Sequence, residues 1–273
     1  MIRLTLSIAL IAALAACANG NSESASSTGG SEITIAGSTA LLPLVKQAAQ
    51  EYQTAHPEAK ISVAGGGSRV GLTQAEDKGV TIGDSDIAPE PGQKDLVDHR
   101  VAVVTFAVVA HPAAGVKNLT KKQIQDIFSG KITNWNQAGG KDLKITVINR
   151  ARSSGTRAVF VSTIMNNVQP TENSLTDDSS GTVVTTTAQT PGAVTYVATA
   201  YLKNKNLVAL AIDGITPADA TVESGKYVFW SYEHMVTNGE PSKAASNFIN
   251  YVANDKAVLK ALHFLPVSAV KAK

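Results

Sequence analysis

Arg150, Ser154, Gly155 and Thr156 form an Arg-x-x-x-Ser-Gly-Thr run whose residue types suit the binding of an anion. The apolar residues 145–148 lead into it and the largely apolar residues 158–161 follow, so a strand ends here and a helix begins. The first N–H groups of a helix lack partners inside it and carry the positive end of its macrodipole. Hydroxyls beside those amides, with a guanidinium that keeps its charge and presents a planar fork of donors, are what an oxyanion requires. On its own, Ser-Gly-Thr before a helix also reads as an ordinary cap.

Two more junctions of the same kind precede it. Residues 33–35 form a short strand, Gly37-Ser38-Thr39-Ala40 a turn, and Leu41, Leu44, Val45, Ala48, Ala49 and Tyr52 repeat at helical spacing. Ser38 or Thr39 is the expected N-cap, its hydroxyl either closing its own helix or sharing the helix-start amides with a ligand. Residues 61–64 lead into Gly65-Gly66-Gly67-Ser68-Arg69, where glycines allow the backbone close to something small or simply make a flexible turn.

A fourth junction is acidic. Asp84 and Asp86 follow the apolar residues 80–82, where carboxylates are ordinarily solvated turn formers. Beside a fully deprotonated anion a carboxylate is repulsive, but beside an anion that still carries a proton it is an acceptor. Hydrogen phosphate has an O–H to donate and sulfate at neutral pH has none, so one buried Asp separates the two. By analogy with pockets that demand a hydroxyl, such a site discriminates by roughly 10⁴ to 10⁵.

In this order, Gly-Ser-Thr-Ala-Leu, Gly-Gly-Gly-Ser, Ile-Gly-Asp-Ser-Asp and Arg-x-x-x-Ser-Gly-Thr-Arg resemble the phosphate-binding lipoproteins of ABC phosphate importers, the PstS family. Residues 126–135, 191–197 and 229–234 look like that family too, and the similarity covers roughly residues 32–265. The resemblance implies an α/β, two-lobed periplasmic-binding-protein fold, type II-like, with two hinge-crossing segments. It implies phosphate contacts from Ser38, Thr39, Ala40, Ser68, Asp86, Arg150, Ser154, Gly155 and Thr156. Asp86 would be the discriminating acid, leaving Asp84 as a neighbouring helper or a solvated turn residue. Many relatives carry an acid two places after the arginine; Arg152 stands there instead and should make the rim more positive, changing salt dependence rather than abolishing function.

The amino terminus reads as that of an exported receptor. Arg3 and the short apolar run over residues 4–16 read as a signal peptide, too short to span a bilayer. Leu14-Ala15-Ala16-Cys17 resembles a lipobox, and Cys17, the only cysteine of 273 residues, is the expected lipidation site. Residues 18–31 are polar and small, a flexible tether. Once Arg3 is removed, 23 Lys and Arg face 22 Asp and Glu, a near-neutral balance that argues against nucleic acid as a partner.

Strand and helix patterns alternate, as in an α/β protein with a substantially parallel sheet in each lobe. Residues 101–110 make an unusually long apolar strand, and residues 227–236 a similar one that returns across the lobes. Lobe I is then 32–106 plus 233–273, and lobe II 107–232. The histidines show no metal-ligand spacing, and no cofactor or metal is expected. Phe128 and Trp135 read as a small core beneath a loop. Residues 182–187, rich in Val and Thr, could pass for a strand, but their place in the family pattern implies a helix or loop.

The expectation is a monomeric, lipid-anchored phosphate receptor, not an enzyme, on the outer face of the cell membrane or in the periplasm. It would hand inorganic phosphate to an ABC permease. The alternatives are a receptor for another tetrahedral oxyanion such as sulfate or molybdate, a phosphate-ester hydrolase using Ser154, or a surface adhesin or sensor that kept the fold. Against the hydrolase, Ser154 lacks the Gly-x-Ser-x-Gly elbow.

Overall fold

The computed structural model describes residues 32–271 apart from residues 178 and 204, so the leader, Cys17 and the tether lie outside the described residues. The chain opens with β1 (Glu32–Gly37), α1 (Leu42–Ala55), β2 (Lys60–Gly65), α2 (Ser68–Glu76) and β3 (Ile82–Ser85). β1 lies between β2 and β3 and runs parallel to both. The apolar stripe read from the sequence is the buried face of α1, with Leu44, Val45, Ala48, Ala49 and Tyr52 in the core.

The expected cap of α1 is corrected. The helix begins at Leu42 with Leu41 as N-cap and Pro43 in its first turn, where the fixed φ of proline suits a helix start. Ser38 and Thr39 sit one turn earlier, and Ser38 Oγ accepts the N–H groups of Ala40 and Leu41.

β4 (Leu96–Ala110) is longer than the sequence suggested, at 15 residues. Beyond it come β5 (Asn118–Leu119), α3 (Lys121–Phe128), β6 (Thr146–Arg150), α4 (Gly155–Thr163), β7 (Leu175–Asp177), α5 (Ser180–Gln189) and β8 (Ala193–Ala198). There follow β9 (Val208–Ala209), β10 (Ala211–Ile212) and α6 (Asp219–Glu223). The return strand is β11 (Trp230–Asn238), with α7 (Lys243–Asn254), α8 (Lys256–Ala261) and β12 (Phe264–Leu265) after it.

The sheet runs β2-β1-β3-β11-β4-β8-β6-β7. β4 joins its two halves: residues 96–105 pair antiparallel with β11, and Phe106 to Ala110 pair with β8. β6 runs parallel to both β7 and β8. Parallel pairing needs crossover connections, and the helices α1, α2, α4 and α5 supply them. Residues 182–187 are helical, within α5, because Ser179 caps the helix while Val183, Val184 and Thr187 are buried, which outweighs β-branched propensity. Phe128 and Trp135 are both fully buried; Phe128 packs edge-on against Phe160 and the Trp135 indole N–H donates to Gly192 O.

These crossovers bring helix starts and strand ends very close. A Cβ on Gly71 of α2 would lie 2.5 Å from Asp84 O and 2.8 Å from Ala36 O, so only glycine lets α2 settle onto β1 and β3. Gly71→Ala should therefore cost about 1–3 kcal/mol through overpacking, read as a lower Tm by circular dichroism.

Candidate anion-binding cleft

Residues that precede β4 and residues between β6 and β8 meet at the carboxyl ends of the strands. Arg150 is the last residue of β6, and its guanidinium Nη2 donates to Thr39 Oγ1 at 2.9 Å. Thr39 Oγ1 also accepts the Ser180 N–H at 3.2 Å, so with both lone pairs engaged its own proton points to Ser180 Oγ, 3.1 Å away. From the neighbouring 3₁₀ turn the Tyr201 hydroxyl donates to Thr39 O at 2.5 Å.

Asp86 lies directly after β3 and is buried. Ser38 donates to Asp86 Oδ1 and the Thr156 hydroxyl donates to Asp86 Oδ2 at 2.7 Å. The Ser38 assignment follows from valence, since its oxygen already accepts two backbone N–H groups. The Asp86 N–H donates to Ser68 Oγ at 2.9 Å, and its carbonyl accepts from Ser231. A carboxylate held this way keeps lone pairs for a further donor.

Arg150 is held on every side. Asn149 Oδ1 accepts both the Arg150 N–H and the Tyr196 hydroxyl, and Tyr196 stacks on Phe160 with ring centroids 4.0 Å apart. The Arg157 guanidinium donates to Arg150 O at 2.9 Å. Burial draws the Arg150 pKa down, opposed by Asp86, Tyr196, Tyr201 and Asp177. Arginine is so strong a base that it remains a cation at neutral pH.

Ser154 caps α4 as expected, accepting the Arg157 N–H at 3.2 Å, and Gly155 opens the helix against Ser68 and Asp86. All nine residues carried over from the resemblance cluster at this junction of strand and helix ends. Ser38, Thr39, Ala40, Ser68, Asp86, Arg150, Ser154 and Thr156 are buried, and Gly155 is buried within α4. Asp84 is not the solvated turn residue it could have been: it is fully buried, and burial together with Asp86 raises its pKa well above the ordinary range. Arg152 stays exposed and pairs with Glu172 at 2.9 Å, which offsets locally the positive rim expected of it.

Sequence reasoning missed Ser180, Tyr201 and Glu233. Ser180 had a signal, because Ser179-Ser180-Gly181-Thr182 repeats the Ser-Ser-Gly-Thr of residues 153–156. Tyr201 had none, and Glu233 lay within residues 229–234, which resemble the family, but with no role attached; it is fully buried on β11, and burial, Asp86 and Asp84 raise its pKa well above the ordinary range. Among the described residues no group of three or more His, Cys, Asp or Glu could hold a metal ion.

The fold and the cleft define a two-lobed binding protein of the periplasmic type. The family model of the PBP superfamily domain matches residues 22–256. The phosphate-binding protein PstS of Bacillus subtilis is 40% identical over 99% of this chain and 95% of its own length. PstS of Borreliella burgdorferi is 26% identical over 81% of this chain and 84% of its own. A Clostridium perfringens structure, assigned as a phosphate ABC transporter substrate-binding protein with bound phosphate, superimposes with a TM-score of 0.82. It is 27% identical and covers 87% of this chain and 100% of that one. The chain belongs to the PBP superfamily and, within it, to the PstS phosphate-binding proteins.

A Cβ on Gly155 would stand 2.7 Å from Ser68 Cβ and 2.9 Å from Asp86 Cβ, across the cleft. Gly155→Ala should hold the cleft wider, read as a larger radius of gyration by small-angle scattering with an unchanged far-ultraviolet spectrum.

Proposed function

We propose that this protein is an extracytoplasmic receptor that captures inorganic phosphate in the cleft and delivers it to the permease of an ABC importer. The observation that carries the reading is a buried carboxylate, Asp86, inside a ring of donors that otherwise suits an anion. Arg150 neutralises charge and Asp86 accepts the one proton a hydrogen phosphate carries, while Ser38, Thr39, Ala40, Ser68, Ser154, Gly155 and Thr156 ring the anion with amides and hydroxyls, the hydroxyls now turned to Asp86 and Ser180 re-aiming at the ligand as it enters. The PstS and phosphate-transporter relatives support the same ligand and the same kind of partner.

Lobe I comprises residues 32–106 plus 233–273 and lobe II residues 107–232, hinged on the long strands β4 and β11. Closure brings Thr39 and Asp86 of one lobe against Arg150, Thr156 and Ser180 of the other, and ligand biases that hinge toward the closed state. The protein acts as a monomer, tethered to the membrane by a lipid on Cys17. No helix among the described residues is long and apolar enough to cross a membrane. Binding rather than catalysis fits Ser154, whose Oγ is engaged as the cap of α4.

Calorimetry at neutral pH should show tight phosphate binding and negligible sulfate binding. Asp86→Asn should lose most of a phosphate preference on the order of 10⁴. Equal affinity for the two anions in the unsubstituted protein would remove Asp86 from its role, and binding of neither would sink the receptor reading. Arg152→Asp should leave phosphate affinity within about fivefold, since exposed pairs contribute about 0–1 kcal/mol, while changing its dependence on ionic strength.

A further inference from the structure

Asp84 and Glu233 are fully buried carboxylic groups for which the phosphate contacts give no use. They stand on paired antiparallel strands: Met235 of β11 is opposite Asp84 of β3, and Glu233 lies two residues earlier, at the bulge between Glu233 and His234. With Asp86 they make three carboxyl groups with essentially no exposure in one corner of the molecule. No carboxylate oxygen of Asp84 has a hydrogen-bond partner among the described residues, and Glu233 finds none outside the acidic cluster.

The surroundings supply little countercharge. On β4, Ala102 is opposite Glu233, and the Arg100 guanidinium lies over the Tyr232 ring. His234, next in the chain, turns to Asp98 at 2.7 Å. The α2 side chains buried beneath the sheet are Ser68, Leu72 and Ala75, with Gly71 between them. Ser231, two residues before Glu233, donates to the Asp86 carbonyl, which brings this stretch of β11 beside the cleft. Arg150 acts on Asp86 from across the cleft. Two guanidiniums are buried in this region, Arg150 and Arg157, and neither donates to Asp84 or Glu233; an uncompensated buried charge neutralises by taking up a proton.

We propose that Asp84 and Glu233 are held as neutral carboxylic acids behind Asp86, as positioning residues that confine negative charge to the one carboxylate facing the ligand and so set phosphate selectivity and its decline at alkaline pH. Burial and the proximity of Asp86 push both groups in the required direction. Ser38 and Thr156 each donate to one oxygen of Asp86, which leaves its remaining lone pairs for the ligand's own proton, and a neutral Glu233 adds no like charge beside them. Ionisation of either acid adds a like charge next to a bound anion and should expel it. The selectivity part rests on the phosphate-receptor reading; the protonation part does not.

Infrared spectroscopy of the purified protein without phosphate tests the protonation. At neutral pH the carboxylic-acid C=O bands should include one lost in Glu233→Gln and another lost in Asp84→Asn; absence of both in the unsubstituted protein overturns the proposal. The second arm follows phosphate affinity while the Glu233 band is titrated with base. As that band disappears, affinity relative to Glu233→Gln should fall about tenfold or more, the equivalent of at least one pKa unit, and the ratio cancels the ionisation of phosphate itself. A constant ratio while the band disappears overturns the positioning role, and a band that persists until the protein unfolds supports neutrality. Bands present in a protein that binds no phosphate would leave the acids neutral and refute the receptor reading alone.

Discussion

Arg150 carries a permanent charge with almost no access to water, and the cleft is organised around that fact. A buried guanidinium costs several kcal/mol unless other dipoles replace its hydration. β6 delivers it to the end of the sheet, Asn149 and Tyr196 fix the backbone that carries it, and Thr39 comes from the other half of the molecule to receive one of its N–H groups. Solvation of this one cation is therefore a contact between the two halves. The same contact that stabilises the charge closes the cleft, and an anion placed there would reinforce both.

Asp86 is the counterpart. A carboxylate surrounded by helix-start amides and hydroxyls looks misplaced in an anion site until its hydrogen bonds are counted. Ser38 and Thr156 approach it from opposite halves of the fold, as Thr39 and Arg150 approach each other. Behind Asp86 the acidic character deepens with Asp84 and Glu233, and the local dielectric and lack of countercharge favour protons there instead of charges. The gradient runs from a cation on one face, through one ionised acceptor, to neutral acids in the core.

The topology explains how distant residues come to one point. β4 is paired with β11 through most of its length and with β8 at its end, so two sheet segments share a single continuous strand. The helices α1, α2, α4 and α5 each begin near the seam, the arrangement expected at the carboxyl ends of strands in an α/β sheet. Glycines at positions 71 and 155 set the closeness of approach, one beneath the sheet and one across the cleft.

Local devices were legible along the chain: helical stripes, strand-to-helix junctions and the residue types of an anion site all depend on neighbours a few positions apart. The apolar period of α1, the cap at Ser154 and the long strand around residues 101–110 were readable for that reason. The start of α1 was not, because Pro43 and the turn at residues 39–41 moved it past the nearest capping residues. Which charges share a boundary depends on how the strands pack. Asp84 could have faced water, and the family-like residues 229–234 gave Glu233 no role; each became a buried acid only when β3, β4 and β11 were laid side by side. Ser180 reached Thr39 across 141 positions of chain by the same route. Hydroxyls and carboxylates announce their chemistry in the sequence, but burial and partner are properties of the packed sheet, and those two set the proton affinity of an acid.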